Sequence, residues 1–298
     1  MDIPNLEKPK GFQESSSNEK NLNYKEISED CSEWLKEYSE KSKTKGFVIG
    51  VSGGIDSAVV STLCAMTGLD VLILEMPINQ NQEEVTRAKK HISWLKENYK
   101  NVCSVCVDLT EAYDVLHKTF LLQQSKISKE KFEFSMSNTR SRLRMTTLYQ
   151  YAGTHNYLVA GTGNKVEDFG IGFYTKYGDG GVDISPIADL LKSEVYALGK
   201  ELKIIDEILV AKPTDGLHDD GRTDEDQIGA TYDELEWAMK WVEDSTIIEQ
   251  GVGVYYDDSD DDMLLEREKE ILMIFHEFHS KNRHKMVSIP IFNTNKYR

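Results

Sequence analysis

Apolar positions recur along this chain in two rhythms, and their alternation predicts its elements. Ile27, Cys31, Trp34, Leu35 and Tyr38 fall at helical spacing. Residues 47–51 then form a β-rich apolar run of strand length, and residues 58–66 continue as an apolar helix. A second strand over 71–76, a second helix containing 85–95 and a third strand over 102–107, read as buried, extend the series. Strand and helix in turn predict an α/β fold, a doubly wound parallel sheet flanked by helices. Residues 117–137 are longer and more polar than a crossover needs and read as an excursion from the core. The rhythm resumes with a helix over 140–151 and a fourth strand over 157–160, and a charged helix over 264–280 followed by a short tail closes the chain. The first 23 residues are polar and lack an apolar period, which predicts a flexible arm, with 24–298 as a single domain.

Composition narrows the partners. A chain of 298 residues with 39% hydrophobic and 9% aromatic content can bury a substantial core. Its net charge of -16 argues against a partner gripped by its phosphates along a track, such as tRNA or DNA, while permitting a compact anion held by a few local cations. No secretory signal and no apolar run of spanning length occur, and Cys31, Cys64, Cys103 and Cys106 suit a reduced, cytoplasmic setting. Cys103 and Cys106 form a CxxC without a second pair to complete a zinc site. His276 and His279 lack HExxH spacing and read as a solvated helix face. The acidic run Asp257 to Asp262 lacks the Gly and closing Glu of a calcium loop.

The richest chemistry begins where the first strand ends. Ser52, Gly53, Gly54, Ile55, Asp56 and Ser57 fall in the turn between strand and helix. The glycines let backbone N–H groups approach an anion, and the helix start adds unpaired donors and a partial positive charge. Asp56 suits a magnesium ion accompanying phosphates. No Lys lies within residues 46–66, so this is not a Walker A loop. It resembles instead the SGGxDS loop of the N-type ATP pyrophosphatases, which cleave ATP between its α and β phosphates.

A second constellation spans residues 161–192, where seven glycines suggest backbone wrapped on a ligand. The GTGN loop leaves the fourth strand and should meet the SGGIDS loop over one crevice, because open parallel sheets bind ligands at those strand ends. GTGN, Glu167, FYTKYGDGGVDISPI, Lys192 and the later KPTDGL together resemble the ammonia-dependent NAD synthetase family over most of residues 46–290.

The resemblance implies an adenine nucleotide alpha hydrolase-like, Rossmann-like fold and a ligase that forms a C–N bond. ATP would adenylate the carboxylate of deamido-NAD, and ammonia would displace AMP to give NAD. It also implies roles position by position. Gly50, Val51, Ser52, Gly53, Gly54, Ile55, Asp56 and Ser57 would hold ATP with Thr162, Lys192 and Thr214. Asp56 and Glu167 would bind Mg²⁺. Arg142, Lys176, Asp183, His284 and Lys285 would bind deamido-NAD, and a homodimer would carry the site at its interface. Asp56, Lys192 and Asp183 form the expected catalytic set, with Asp179 or Asp183 taking a proton from ammonium. No room for an amidohydrolase domain precedes residue 46, so free ammonia is the expected nitrogen donor, and a separate glutaminase subunit stays open.

The sequence departs from the family pattern in places. Asn138, Thr139, Arg140, Ser141 and Arg142 stand where NxKAR is common, and MPINQNQEE leaves open whether Gln80 or Gln82 approaches adenosine. Two alternatives frame the assignment: another SGGxDS-type amidotransferase resembling GMP synthetase, and a non-catalytic adenine-nucleotide sensor.

Overall fold

The computed structural model describes residues 22–122, 127–214, 223–244 and 264–295. The N-terminal arm before residue 22, the acidic run at 257–262 and the end of KPTDGL lie outside the described residues. Strands β1 (Gly46–Gly50), β2 (Asp70–Glu75), β3 (Val102–Cys106) and β4 (Leu158–Val159) form one sheet in the order β3-β2-β1-β4. All the pairings are parallel, with Phe47 opposite Val71 and Leu158, and Val71 opposite Val102. From β1 the chain builds outward through β2 to β3, then returns to place β4 on the other flank of β1. The order therefore reverses beside β1, where a ligand crevice belongs. An isolated bridge from Ala160 to Ile184 extends the β4 side.

Side chains alternate across the sheet and fill two cores. Phe47, Ile49, Val71 and Ile73 pack under α1 (Tyr24–Lys41), α2 (Ile55–Met66), α3 (Gln82–Asn98), α6 (Lys192–Glu201) and α7 (Asp206–Leu209). Val48, Leu72 and Leu74 face α4 (Thr110–Leu121) and α5 (Lys129–His155). Coverage of both faces explains why β1 and β2 are near-continuous apolar runs. A third core lies outside the sheet, where α8 (Asp224–Ile228), α9 (Tyr232–Asp244) and α10 (Glu266–Met286) pack around a π-helical turn at Val166–Ile171.

Four expectations need correction. The described residues of 117–137 are largely helical rather than an excursion: α4 runs to Leu121, α5 starts at Lys129, and Phe132 and Met136 are buried against the sheet. Their polar appearance arose because one stripe of each helix faces inward while other positions project outward. β3 is an edge strand rather than a buried one, so Cys103 and Cys106 are exposed. The Cys106 thiol is pushed up to about 11, chiefly by its hydrogen bond with Glu75 and then by burial. The last helix runs to Met286, so His284 and Lys285 belong to α10 and not to a tail.

α10 extends this far because it has carbonyls to serve. His279 Nδ1 lies 2.7 Å from the Gly170 oxygen and Asn282 Nδ2 donates to the Ile171 oxygen at 2.9 Å. Lys285 Nζ donates to the oxygens of Gly172 and Tyr174, both at 2.7 Å. These donors, about one turn apart, satisfy the carbonyls at the end of the π-helical turn. His276 and His279 consequently pack against Phe275, His276 edge-on and His279 stacked, rather than forming a solvated face.

Candidate active site

The turn after β1 is built as the sequence suggests. Gly53 has φ of 90°, and a Cβ there would stand 2.6 Å from the Glu84 carbonyl oxygen of α3, so only glycine fits. Gly54 caps α2 without a side-chain bond, leaving first-turn N–H groups directed at the crevice end. The Ser52 and Ser57 hydroxyls brace the turn: Ser57 Oγ donates to the Gly54 oxygen at 3.0 Å and accepts from the Ser52 N–H at 3.3 Å.

The turn opens on a cleft that also receives Thr162, Glu167, Lys192 and Thr214. Lys192, the first residue of α6, is 3% exposed. Its Nζ donates to Asp56 Oδ2 at 2.7 Å and Glu167 Oε1 at 3.0 Å. Burial opposes the ammonium, but the two carboxylates outweigh it and hold Lys192 above the ordinary lysine range. Burial raises the Glu167 carboxyl, opposed by Lys192 and the Tyr232 hydroxyl and reinforced by Asp56. Asp56, Glu167 and Lys192, expected to serve metal and ATP, thus come from distant sequence segments into one cluster. Thr214 Oγ1 donates to Glu84 Oε1 at 2.7 Å on the opposite wall.

The substrate positions divide. Arg142 Nε donates to the Lys176 carbonyl at 3.3 Å and Lys176 Nζ donates to the His284 carbonyl at 2.9 Å, so these three form one basic group outside the cleft lining. Lys285 adjoins it through Gly172 and Tyr174. Asp183 stands apart, accepting from the Val159 N–H at 2.8 Å and the Tyr149 hydroxyl at 3.0 Å. Asp179 does line the cleft and accepts from Ser141 Oγ at 2.5 Å and the Thr175 N–H at 3.0 Å. Desolvation raises its carboxyl, with those bonds opposing. The neighbouring Asp168 is pushed up to about 7 by desolvation, then by the charges of Glu167, Asp179 and Asp56.

Several contributors carry no local signal in sequence. Asn164 donates to Asp56 Oδ1 at 3.1 Å and accepts from the Glu167 N–H at 3.1 Å, tying the Asp56 carboxylate to the backbone that carries Glu167; its place in GTGN was the available clue. Tyr232, beyond the Gly-rich region, meets Glu167 only through the fold, and Asp224 meets the same Tyr232 hydroxyl. Arg87, on α3, donates to the Gly53 oxygen at 3.3 Å, and Arg144, on α5, donates to Gln80 Oε1 at 2.8 Å; both line the cleft. Gln80, not Gln82, is the glutamine there, where it also meets Glu84.

The parallel sheet, with a glycine turn feeding a helix start at its switch point, places the chain among the enzymes of the adenine nucleotide alpha hydrolase fold. The NAD synthase family model matches residues 27–285, and the chain belongs to that family. The chain is 40% identical to the NH₃-dependent NAD⁺ synthetase of Finegoldia magna over 216 residues, covering 72% of this chain and 84% of that protein. It is 41% identical to the Mycoplasma genitalium enzyme of the same name over 209 residues, covering 70% and 79%. Among solved structures, NMN synthetase from Francisella tularensis superposes with a TM-score of 0.73 at 30% identity, covering 92% of this chain and all of that one. NH₃-dependent NAD synthetase from Campylobacter jejuni gives 0.68 at 26% identity, covering 91% and 100%. The activity is C–N bond formation by the ammonia-dependent NAD synthetase reaction, and neither the GMP synthetase-like nor the sensor alternative is favoured.

Proposed function

We propose that the cleft binds ATP with its phosphates on the Ser52–Ser57 turn and adenylates the carboxylate of deamido-NAD, which ammonia then converts to the amide. The carrying observation is the Asp56–Lys192–Glu167 cluster beside an open helix N-terminus. The carboxylate oxygen attacks the α phosphorus and pyrophosphate leaves. Ammonia attacks the acyl carbon and AMP leaves with the former carboxylate oxygen. Lys192 and the α2 N–H groups stabilise charge on the phosphate oxygens.

Asp56 and Glu167 fit a magnesium ion: both are hard oxygen donors, and one Lys192 ammonium already reaches both, so they are close enough to share a cation. Bound with ATP, magnesium would neutralise phosphate charge as a Lewis acid. Of the two acids weighed for ammonium, Asp179 is the better proton acceptor, since it faces the cleft and its carboxyl is raised. Asp183 instead anchors β4 and Tyr149. Arg142, Lys176, His284 and Lys285 suit the phosphates of the dinucleotide as one basic rim. The exposed Val115, Leu121, Leu122 and Phe134 give α4 and α5 an outward apolar face for a second copy, consistent with a homodimer. A cytoplasmic setting fits the cysteine usage.

Incubation with ATP, Mg²⁺, ammonium and deamido-NAD should give NAD, AMP and pyrophosphate in equal amounts, with glutamine unable to replace ammonium. A second acceptor, nicotinic acid mononucleotide, is suggested by the similarity to an NMN synthetase. Turnover of neither acceptor would contradict the proposal.

A further inference from the structure

Tyr232 opens α9, outside the sheet, and does not line the cleft. Its hydroxyl nevertheless donates to Glu167 Oε1 at 2.6 Å and lies 3.3 Å from Asp224 Oδ2. Its ring faces the Lys192 ammonium, 4.7 Å from the ring centre. The residue is 5% exposed and fixed on several sides. Its N–H donates to Glu225 Oε1 at 3.1 Å, and Arg267 of α10 clasps Glu234 in the same first turn with bonds of 2.9 Å from Nε and 2.9 Å from a terminal nitrogen. Arg267 also donates to the Gly229 oxygen at 3.2 Å.

The donors to Glu167 are unevenly shared. Both Lys192 and Tyr232 address Oε1, while Oε2 receives no hydrogen bond among the described residues. A carboxylate with one oxygen so engaged has the other to offer. Magnesium is satisfied by single carboxylate oxygens in a strict octahedron, whereas calcium favours six to eight ligands and often takes both oxygens of one carboxylate.

We infer that Tyr232 is a specificity-determining positioning residue, which occupies Oε1 of Glu167 so that the cleft accepts magnesium and disfavours calcium. This rests on the reading of Glu167 as a metal ligand. Asp224 tunes it: the tyrosine has one proton, and a second acceptor draws on the hydrogen bond that Glu167 receives. Tyr232 thereby sets the cation preference of a cleft that it does not itself line.

The test uses the full chain with α,β-methylene-ATP and Mn²⁺, following the ternary complex by electron paramagnetic resonance and displacing Mn²⁺ with Mg²⁺ or Ca²⁺. Tyr232→Phe keeps the ring and removes the hydroxyl. The expected result is a rise of about tenfold in the strength of Ca²⁺ relative to Mg²⁺, the size of effect typical of outer-shell partners. Its melting temperature should stay near that of the parent. Asp224→Ala should shift the ratio the opposite way, and decides the matter alone if Tyr232→Phe does not fold. A ratio moving by less than about twofold in the folded variants overturns the inference. So does a lowered melting temperature with an unchanged ratio. Glu167→Gln separates the two levels: wild-type Mn²⁺ binding in that variant refutes the metal reading itself. Lost Mn²⁺ binding there, with an unmoved ratio in Tyr232→Phe, refutes only the role of Tyr232.

Discussion

Removing the Lys192 ammonium leaves Asp56 and Glu167 facing one another without their shared counter-charge. Lys192→Met should therefore lower stability by about 3–5 kcal/mol, the usual cost of orphaning buried ionic partners, measured by urea denaturation. It should also lower kcat by about 10²- to 10³-fold through lost charge stabilisation in the transition state. Asp56 is legible from its own strand-to-helix turn, whereas Glu167 and Lys192 are singled out by the family resemblance of the segment that holds them. Tyr232 is legible in neither way, because its role depends on a contact 65 residues away and its own surroundings read as an ordinary helix start. Arg142 and Asp183, grouped by the family resemblance as substrate ligands, stand apart in the fold: Arg142 joins the basic group with Lys176, and Asp183 holds the Val159 N–H of β4.

At the scale of elements, α2 and α3 define the phosphate turn from opposite sides. Gly53→Ala would set a Cβ 2.6 Å from the Glu84 oxygen in a backbone conformation unfavourable to any other residue, and α3 would have to retreat. Loss of about 2 kcal/mol or more is expected by thermal unfolding, together with weakened ATP binding by calorimetry. The same helices bury His91, fully enclosed and 3.0 Å from Ser61 Oγ. Burial pushes its imidazole down to about 4 from 6.5, with a backbone bond involving Ala58 opposing. The unfolded chain thus takes up a proton before the folded one does. Its contribution is complete above pH 6.5 and is lost as pH falls to about 4, about 3 kcal/mol in all. Urea midpoints measured across that range should fall less steeply for His91→Gln. Strands and helices of the sheet were legible because apolar periodicity reports burial directly. The edge position of β3 was not, since an edge is decided by pairing rather than by pattern. Nor was the full reach of α10, whose last turn is held by carbonyls of the distant π-helical turn.

For the whole molecule, the sheet and the helical layer are joined through the segment carrying Glu167, so the cleft depends on both cores. The outward apolar side chains on α4 and α5 belong to neither. If this face carries the proposed homodimer contact, Leu121→Asp, at a position 54% exposed, should fold normally and give a lower light-scattering mass than the parent chain. An equal mass for the two would contradict this face as the subunit contact. No helix among the described residues is long and apolar enough to cross a membrane. The central claim, that the cleft activates a carboxylate by attaching AMP to it, is tested most directly by isotope transfer. Deamido-NAD labelled with ¹⁸O in its carboxylate should pass one labelled oxygen to AMP during turnover with ATP and ammonium, detected by mass spectrometry. Unlabelled AMP, or label appearing in pyrophosphate, would contradict the account.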